Sequence, residues 1–178
     1  GAFNGFFVAK FKLHPFIVTL ATQLILYTIL LLYIQQGNNN GMAISGLADN
    51  YRNFVVGNPP LLTFGEIKIP NYVIYAVLLT VLMWFIWNKT TFGKNLYAVG
   101  GNPEAASVSG ISVFKVTVGA FIMAGVLYGF GSWLECIRMI GSGSAAYGQG
   151  WEMDAIAACV IGGISFTGGI GKISGVVV

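Results

Sequence analysis

Charge is what this chain has least of. Lysine and arginine together number 9, aspartate and glutamate 6, so 8% of the 178 residues are charged. A soluble domain carries roughly 25%. Hydrophobic residues make up 56%, and mean hydropathy is +0.76. This balance points to an integral membrane protein. The net charge of +3 is too small to imply a nucleic-acid partner. His14 is the only histidine, so a histidine-based metal cluster is excluded. Beside Lys12 and Pro15, it reads as an interfacial residue. Cys136 and Cys159 have no partner at metal or redox spacing. They read as small buried hydrophobes. No basic start with an apolar run and a small-residue cleavage site is visible, so no cleavable signal is expected. The opening GAFNGFFVAK resembles the tail of a hydrophobic segment, and the chain stops inside another, at residues 173–178. A fragment is therefore expected.

What is present is a series of long apolar runs. Phe16 to Ile34 is uncharged and long enough to span a bilayer, with Pro15 at its start, where a helix tolerates proline. Gln35 to Asn71 is rich in Asn, Gly and Pro and reads as an extramembrane loop. Tyr72 to Trp87 is a second span, with Trp84 and Trp87 as interface anchors. Val113 to Trp133 is a third, with Lys115 able to snorkel near one end. Leu134 to Met153 reads as polar and Gly/Ser-rich. Ala155 to Thr167 is apolar but too short to cross untilted, so a re-entrant or broken helix is expected there. The basic residues Lys10, Lys12, Lys89, Lys94 and Lys115 fall on one side, against Arg52, Lys68 and Arg138 on the other. By the positive-inside rule the first side is cytoplasmic.

That side holds the stretch from Asn88 to Ile111. Within it, Asn102 is a good N-cap, and Pro103 suits the first helical position. Glu104 puts negative charge where the macrodipole favours it. Gly110 can close the helix in the left-handed region. So short a helix is marginal alone. Capped at both ends and left outside the membrane, it reads as a knob that docks into something else. The plainer reading is a loop with one turn of helix.

No catalytic constellation stands out. The visible spans offer no ionisable group at mid-depth, which counts against an ion-driven carrier. Gly168 to Ser174 (GGIGKIS) contains Gly-Lys but has Ile173 where a phosphate loop needs Ser or Thr. Gly141 to Ala146 matches GxGxxA without a strand–helix context. If ATP powers the protein, another subunit binds it. Gly125 with Gly129, and Gly171 with Gly175, form GxxxG pairs that let helices approach closely in lipid. Two polar stripes could line a path for a neutral polar solute. Thr19, Thr22, Gln23 and Tyr27 share one face of the first span, and Thr117, Tyr128 and Ser132 one face of the third. Residue by residue, helix–helix or local backbone hydrogen bonding is the slightly stronger explanation, and Gln23, an amide at mid-span that needs partners, is the best pathway candidate.

The runs TTFGKNLYAVGGNPEAASVSGISV and MDAIAACVIGGISFTGGIGKISG, together with PFIVTLAT, resemble the permease subunits of ribose- and galactose-type ABC importers. The resemblance covers nearly all of the chain. It implies an all-α, polytopic membrane fold of the type II importer kind, with residues 1–178 as a partial permease domain of about half the usual length. It implies that 88–112 is a cytoplasmic coupling loop, whose helix seats in a groove of the ATPase subunit through Asn102, Pro103, Glu104, Ala105, Ala106, Ser107 and Gly110. It also implies a second permease copy, a periplasmic sugar-binding protein, and ATP and Mg²⁺ held by the ATPase subunit rather than by this chain. Galactose or its methyl glycosides are the first cargo expected, with ribose, another pentose or a nucleoside as alternatives. A secondary transporter is the competing class.

Overall fold

In the computed structural model, residues 1–36, 49–57, 62–64, 67–138, 148–165 and 167–177 are described. Among the described residues three helices are long and apolar enough to cross a membrane, and the protein is a multi-pass membrane protein. They are α2 (Pro15–Gln36), α4 (Asn71–Lys89) and α7 (Val113–Arg138). At 1.5 Å per residue each covers about 28 Å or more, enough for a hydrocarbon core of about 30 Å. Their side chains are mostly turned outward, as with Leu24 (65% exposed) and Val126 (66%). In water such faces would be a large apolar liability; in lipid they are solvated.

The remaining helices are short: α1 (Ala2–Phe11), α3 (Asp49–Val56), α5 (Thr91–Gly101), α6 (Pro103–Val108), α8 (Trp151–Ile161) and α9 (Ile173–Val177). One antiparallel hairpin, β1 (Leu62–Phe64) with β2 (Ile67–Ile69), pairs Leu62 with Ile69 and Phe64 with Ile67. It lies in the segment expected to be loop, and the fold is otherwise helical among the described residues.

The chain forms two compact units, and the division falls inside the long helices. The first comprises 1–18, 80–125 and 148–178. In it α1 lies against the first half of α7. A Cβ on Gly5 would sit 2.8 Å from Phe121 Cβ and 3.1 Å from Val118 Cα, and Gly125 packs against Gly1. Phe6 meets Phe114 edge to face at 6.3 Å. Gly129, the other half of that GxxxG pair, faces open space. Small residues do bring segments together here, but the partner of Gly125 is Gly1, the N-cap of α1.

The second unit comprises 19–79 and 126–147. Its centre is α3, whose Val55 is fully buried. Phe54 stacks on Tyr75 at 5.4 Å and meets Trp133 at the same distance. The Phe54 carbonyl accepts from Tyr75 Oη at 3.1 Å and from Asn71 Nδ2 at 3.3 Å. These bonds satisfy a helix-end carbonyl that α3 cannot pair itself.

Three boundaries differ from the sequence reading. The third span runs past Trp133 to Arg138, so Glu135 lies in its last turns, not in a loop. The stretch before Asn102 is helix α5. Helix α8 starts at Trp151, so the apolar segment expected from Ala155 begins a turn earlier and stops at Ile161. Its 11 residues cover about 16 Å, half a bilayer, and the helix ends on Gly162 and Gly163 (φ +81°). The break lies where a broken helix was expected. Cys136 is exposed and Cys159 half-buried, so neither is the fully buried hydrophobe expected. The GxGxxA match at 141–146 lies outside the described residues.

Candidate functional site

The turn out of α4 is built on Thr90. Its hydroxyl donates to the Ile86 carbonyl at 2.6 Å and accepts from the Gly93 nitrogen at 3.2 Å, so one side chain closes α4 and caps α5. Gly93 is buried against the Ile86 and Trp87 carbonyls, where any Cβ would collide. The Phe92 ring fills the notch over Gly119 of α7; a Cβ there would sit 2.9 Å from Phe92 Cε2. The first turn of α5 is thus seated on the end of α4 and touches α7 through Phe92.

One residue joins α5 to α6. The Asn102 N–H donates to the Ala98 carbonyl at 3.1 Å, ending α5, and Asn102 Oδ1 accepts from the Ala105 nitrogen at 3.0 Å, starting α6. Pro103 follows at the first position and Glu104 in the first turn. At the other end Gly110 takes φ +82°. Its N–H donates to Ser107 O at 3.0 Å, and the Ile111 N–H donates to Ala106 O at 3.0 Å. These are the paired bonds of a Schellman closure. Both caps fall on the residues the sequence pointed to.

Of α6, only Ala106 is buried; Pro103, Glu104, Ala105, Ser107 and Asn102 are exposed. Val108, which the sequence reading did not single out, is 91% exposed. An apolar side chain so placed gains nothing from its own fold. The helix is held rigidly at both ends and presents its outer face.

The polar stripes are less gathered. In α2, Thr19, Thr22 and Tyr27 are half-buried and Gln23 is exposed. In α7, Thr117 is half-buried while Tyr128 (75%) and Ser132 are exposed. The Ser132 hydroxyl donates to the Gly129 carbonyl of its own helix at 3.0 Å.

A feature the sequence reading missed lies beside α5. Gly100 and Gly101 meet Gly168 and Gly169 backbone to backbone. Tyr97 Oη donates to the Gly171 carbonyl at 2.8 Å. A cavity of about 480 Å³ adjoins this contact, lined by Tyr97, Lys172, Ser174 and backbone glycines. Two Gly-Gly pairs, at 100–101 and 168–169, were the available signal.

A family model described as the permease component of branched-chain amino acid transport systems matches residues 1–178. The galactose/methyl galactoside import permease of Treponema pallidum is 50% identical over 99% of this chain and 32% of its own length. That of Haemophilus influenzae is 43% identical over 99% of this chain and 51% of its own. The ribose import permease of Bacillus subtilis is 38% identical over 98% and 51%. The chain thus spans between about a third and about half of the length of these relatives. No solved structure matches it.

Proposed function

The chain belongs to the family of branched-chain amino acid transport system permease components, and on that premise we propose that it is part of the membrane permease of an ATP-driven monosaccharide importer. Galactose or a methyl galactoside is the cargo favoured by the names of relatives 50% and 43% identical to this chain; ribose, another pentose or a nucleoside is the alternative. The protein resides in a bacterial inner membrane, with 88–112 on the cytoplasmic side. It works with an ABC ATPase that holds ATP and Mg²⁺, a periplasmic sugar-binding protein and a second permease copy. We assign the binding-protein side to the segments 35–71 and 134–153, of which 37–48, 58–61, 65–66 and 139–147 lie outside the described residues.

One observation carries this reading: a short helix, capped at both ends, is exposed except at Ala106, with Val108 turned outward. Asn102, Pro103, Glu104, Ala105, Ala106, Ser107 and Gly110 form the seat for the ATPase. Closure of the ATPase dimer on ATP displaces α6. Because Asn102 joins α6 to α5 without slack, α5 moves too, and α4 and α7 follow through Gly93 and the Phe92–Gly119 contact. Rigid elements turn the docking motion into gating. The sugar passes along Thr19, Thr22, Gln23 and Tyr27 of α2 and Thr117, Tyr128 and Ser132 of α7. Their neutral donors and acceptors suit hydroxyl groups.

The test is to extract the intact permease in mild detergent and identify by mass spectrometry what accompanies it, beside a variant lacking residues 103–109. A soluble ATPase should accompany the intact protein and be lost with the deletion. A permease that carries no ATPase under conditions preserving the complex overturns the reading and favours a carrier that works alone.

A further inference from the structure

The coupling helix has a second mechanical outlet besides α4 and α7. From the backbone approach of α5 to the segment 168–171 we infer that Tyr97, Gly100, Gly168 and Gly169 form a clasp that carries coupling-helix motion to the break between α8 and α9. This rests on the importer reading above.

The approach leaves no room for side chains. A Cβ on Gly100 would lie 2.7 Å from the Gly169 nitrogen. One on Gly169 would lie 2.6 Å from Gly101 Cα, and one on Gly168 2.8 Å from the Gly100 oxygen. Gly168 and Gly169 also take φ +89° and +72°, which an L side chain resists. Glycine on both partners lets main chains touch, as between helices packed in lipid. The Tyr97–Gly171 hydrogen bond crosses the same contact and resists sliding.

Beyond the clasp the segment is braced. Ser165 N–H donates to Ile170 O at 3.0 Å, and Gly168 N–H to Ser165 O at 3.2 Å. The Ser165 and Thr167 hydroxyls are 2.7 Å apart. A second glycine pair then joins the end of α8 to α9: a Cβ on Gly162 would lie 2.6 Å from the Gly175 carbonyl oxygen. The route α6, Asn102, α5, clasp, turn, and Gly162–Gly175 is contiguous. It ends at the break after α8, whose 11 residues cover only about half a bilayer's thickness; irregular backbone at membrane depth is tolerated only where protein or a water-filled cavity covers it. Displacing α6 therefore shifts the broken helix. Tyr97 and the three glycines are positioning residues.

The test uses the intact permease with its ATPase and binding protein in proteoliposomes. Gly100→Ala is compared with Gly101→Ala, whose Cβ meets nothing within 4 Å, and with Tyr97→Phe. The readouts are ATPase copurification, the stimulation of ATP hydrolysis by sugar-loaded binding protein, and sugar uptake per ATP. Gly100→Ala should retain the ATPase but lose about fivefold or more of the stimulation. Tyr97→Phe should lose less, and Gly101→Ala should match the parent. If Gly100→Ala fails to assemble, Tyr97→Phe decides. Stimulation and uptake per ATP unchanged in Gly100→Ala, or in Tyr97→Phe where it must decide, overturn the clasp and leave the importer reading standing. A parent permease that binds no ATPase overturns both.

Discussion

Asn102 accepts from the Ala105 nitrogen at 3.0 Å while its own N–H donates to Ala98, so one residue fixes the angle between α5 and α6. Removing the side chain should cost about 1 kcal/mol at this cap. Asn102→Ala should weaken retention of the ATPase, whereas Asn102→Asp, which keeps the acceptor, should retain it. Copurification yield measured side by side checks this. Equal yields for Ala and Asp would mean that the cap does not set the docking geometry.

Gly110 closes α6 at φ +82°, with nothing within 4 Å of a would-be Cβ. The cost of alanine there is conformational, about 1–2 kcal/mol. Gly110→Ala should unwind the last turn and disturb the exposed Val108. Gly110→Asn, which tolerates the left-handed region better, should fall between. Thermal unfolding of the detergent-solubilised protein, with ATPase binding as a second readout, checks the order Gly, Asn, Ala.

The α6 knob was legible in the sequence because both of its signals are local: a side-chain cap and a left-handed glycine. The three spans were legible because bilayer thickness fixes their length. Helix α5 was not. Its sequence TFGKNLYAVGG holds three glycines, and helix propensity argues against it. Two of those glycines are used in packing, Gly93 against the Trp87 carbonyl and Gly100 against Gly169. Propensity loses to packing that only the partner segments reveal. Helix α3 was hidden for a similar reason. DNYRNFVV reads as polar, and its hold comes from distant partners: burial of Val55, the ring contacts of Phe54 and Tyr51, and hydrogen bonds to Tyr75, Asn71 and Trp133.

Gln23 is exposed within α2 and Ser132 already bonds its own helix. If the α2 stripe contacts sugar, Gln23→Leu removes a hydrogen-bonding partner worth about 1 kcal/mol. Sugar uptake should fall about fivefold with ATPase assembly intact. Ser132→Ala should lower uptake by less than Gln23→Leu, because that hydroxyl already donates to its own backbone. Uptake assays on membranes with equal permease content check both. Unchanged uptake in Gln23→Leu would remove that residue from the pathway.

Gly57 ends α3 at φ +78°, and a Cβ there would lie 2.6 Å from Asn71 Oδ1. Asn71 is itself buried and holds the Phe54 carbonyl. Gly57→Ala therefore combines backbone strain with displacement of a buried amide, at about 2 kcal/mol or more. It should release α3 from Tyr75 and Trp133. A lower melting temperature with ATPase binding unchanged is the expected pair of results. Loss of both together would mean that the defect is global.

Tyr51 makes that α3 contact dependent on alkaline pH. Its hydroxyl donates to the Trp133 carbonyl at 2.7 Å, with the rings 5.2 Å apart. Burial raises its pKa above the ordinary 10.0, and Cys136 raises it further. A raised folded-state pKa means the fold favours the neutral phenol. The contribution is full below pH 10 and is lost as pH climbs through the raised value. A phenolate cannot donate to the carbonyl, so the contact should open there. Tyr51→Phe lacks the donor, and should be less stable at neutral pH by about 1 kcal/mol. It should also lack this part of the alkaline loss. Unfolding followed by tryptophan fluorescence from pH 8 to about 11.5, on parent and variant, reads the difference. If the stability gap between them does not narrow above pH 10, the Tyr51 hydroxyl does not hold α3 to Trp133.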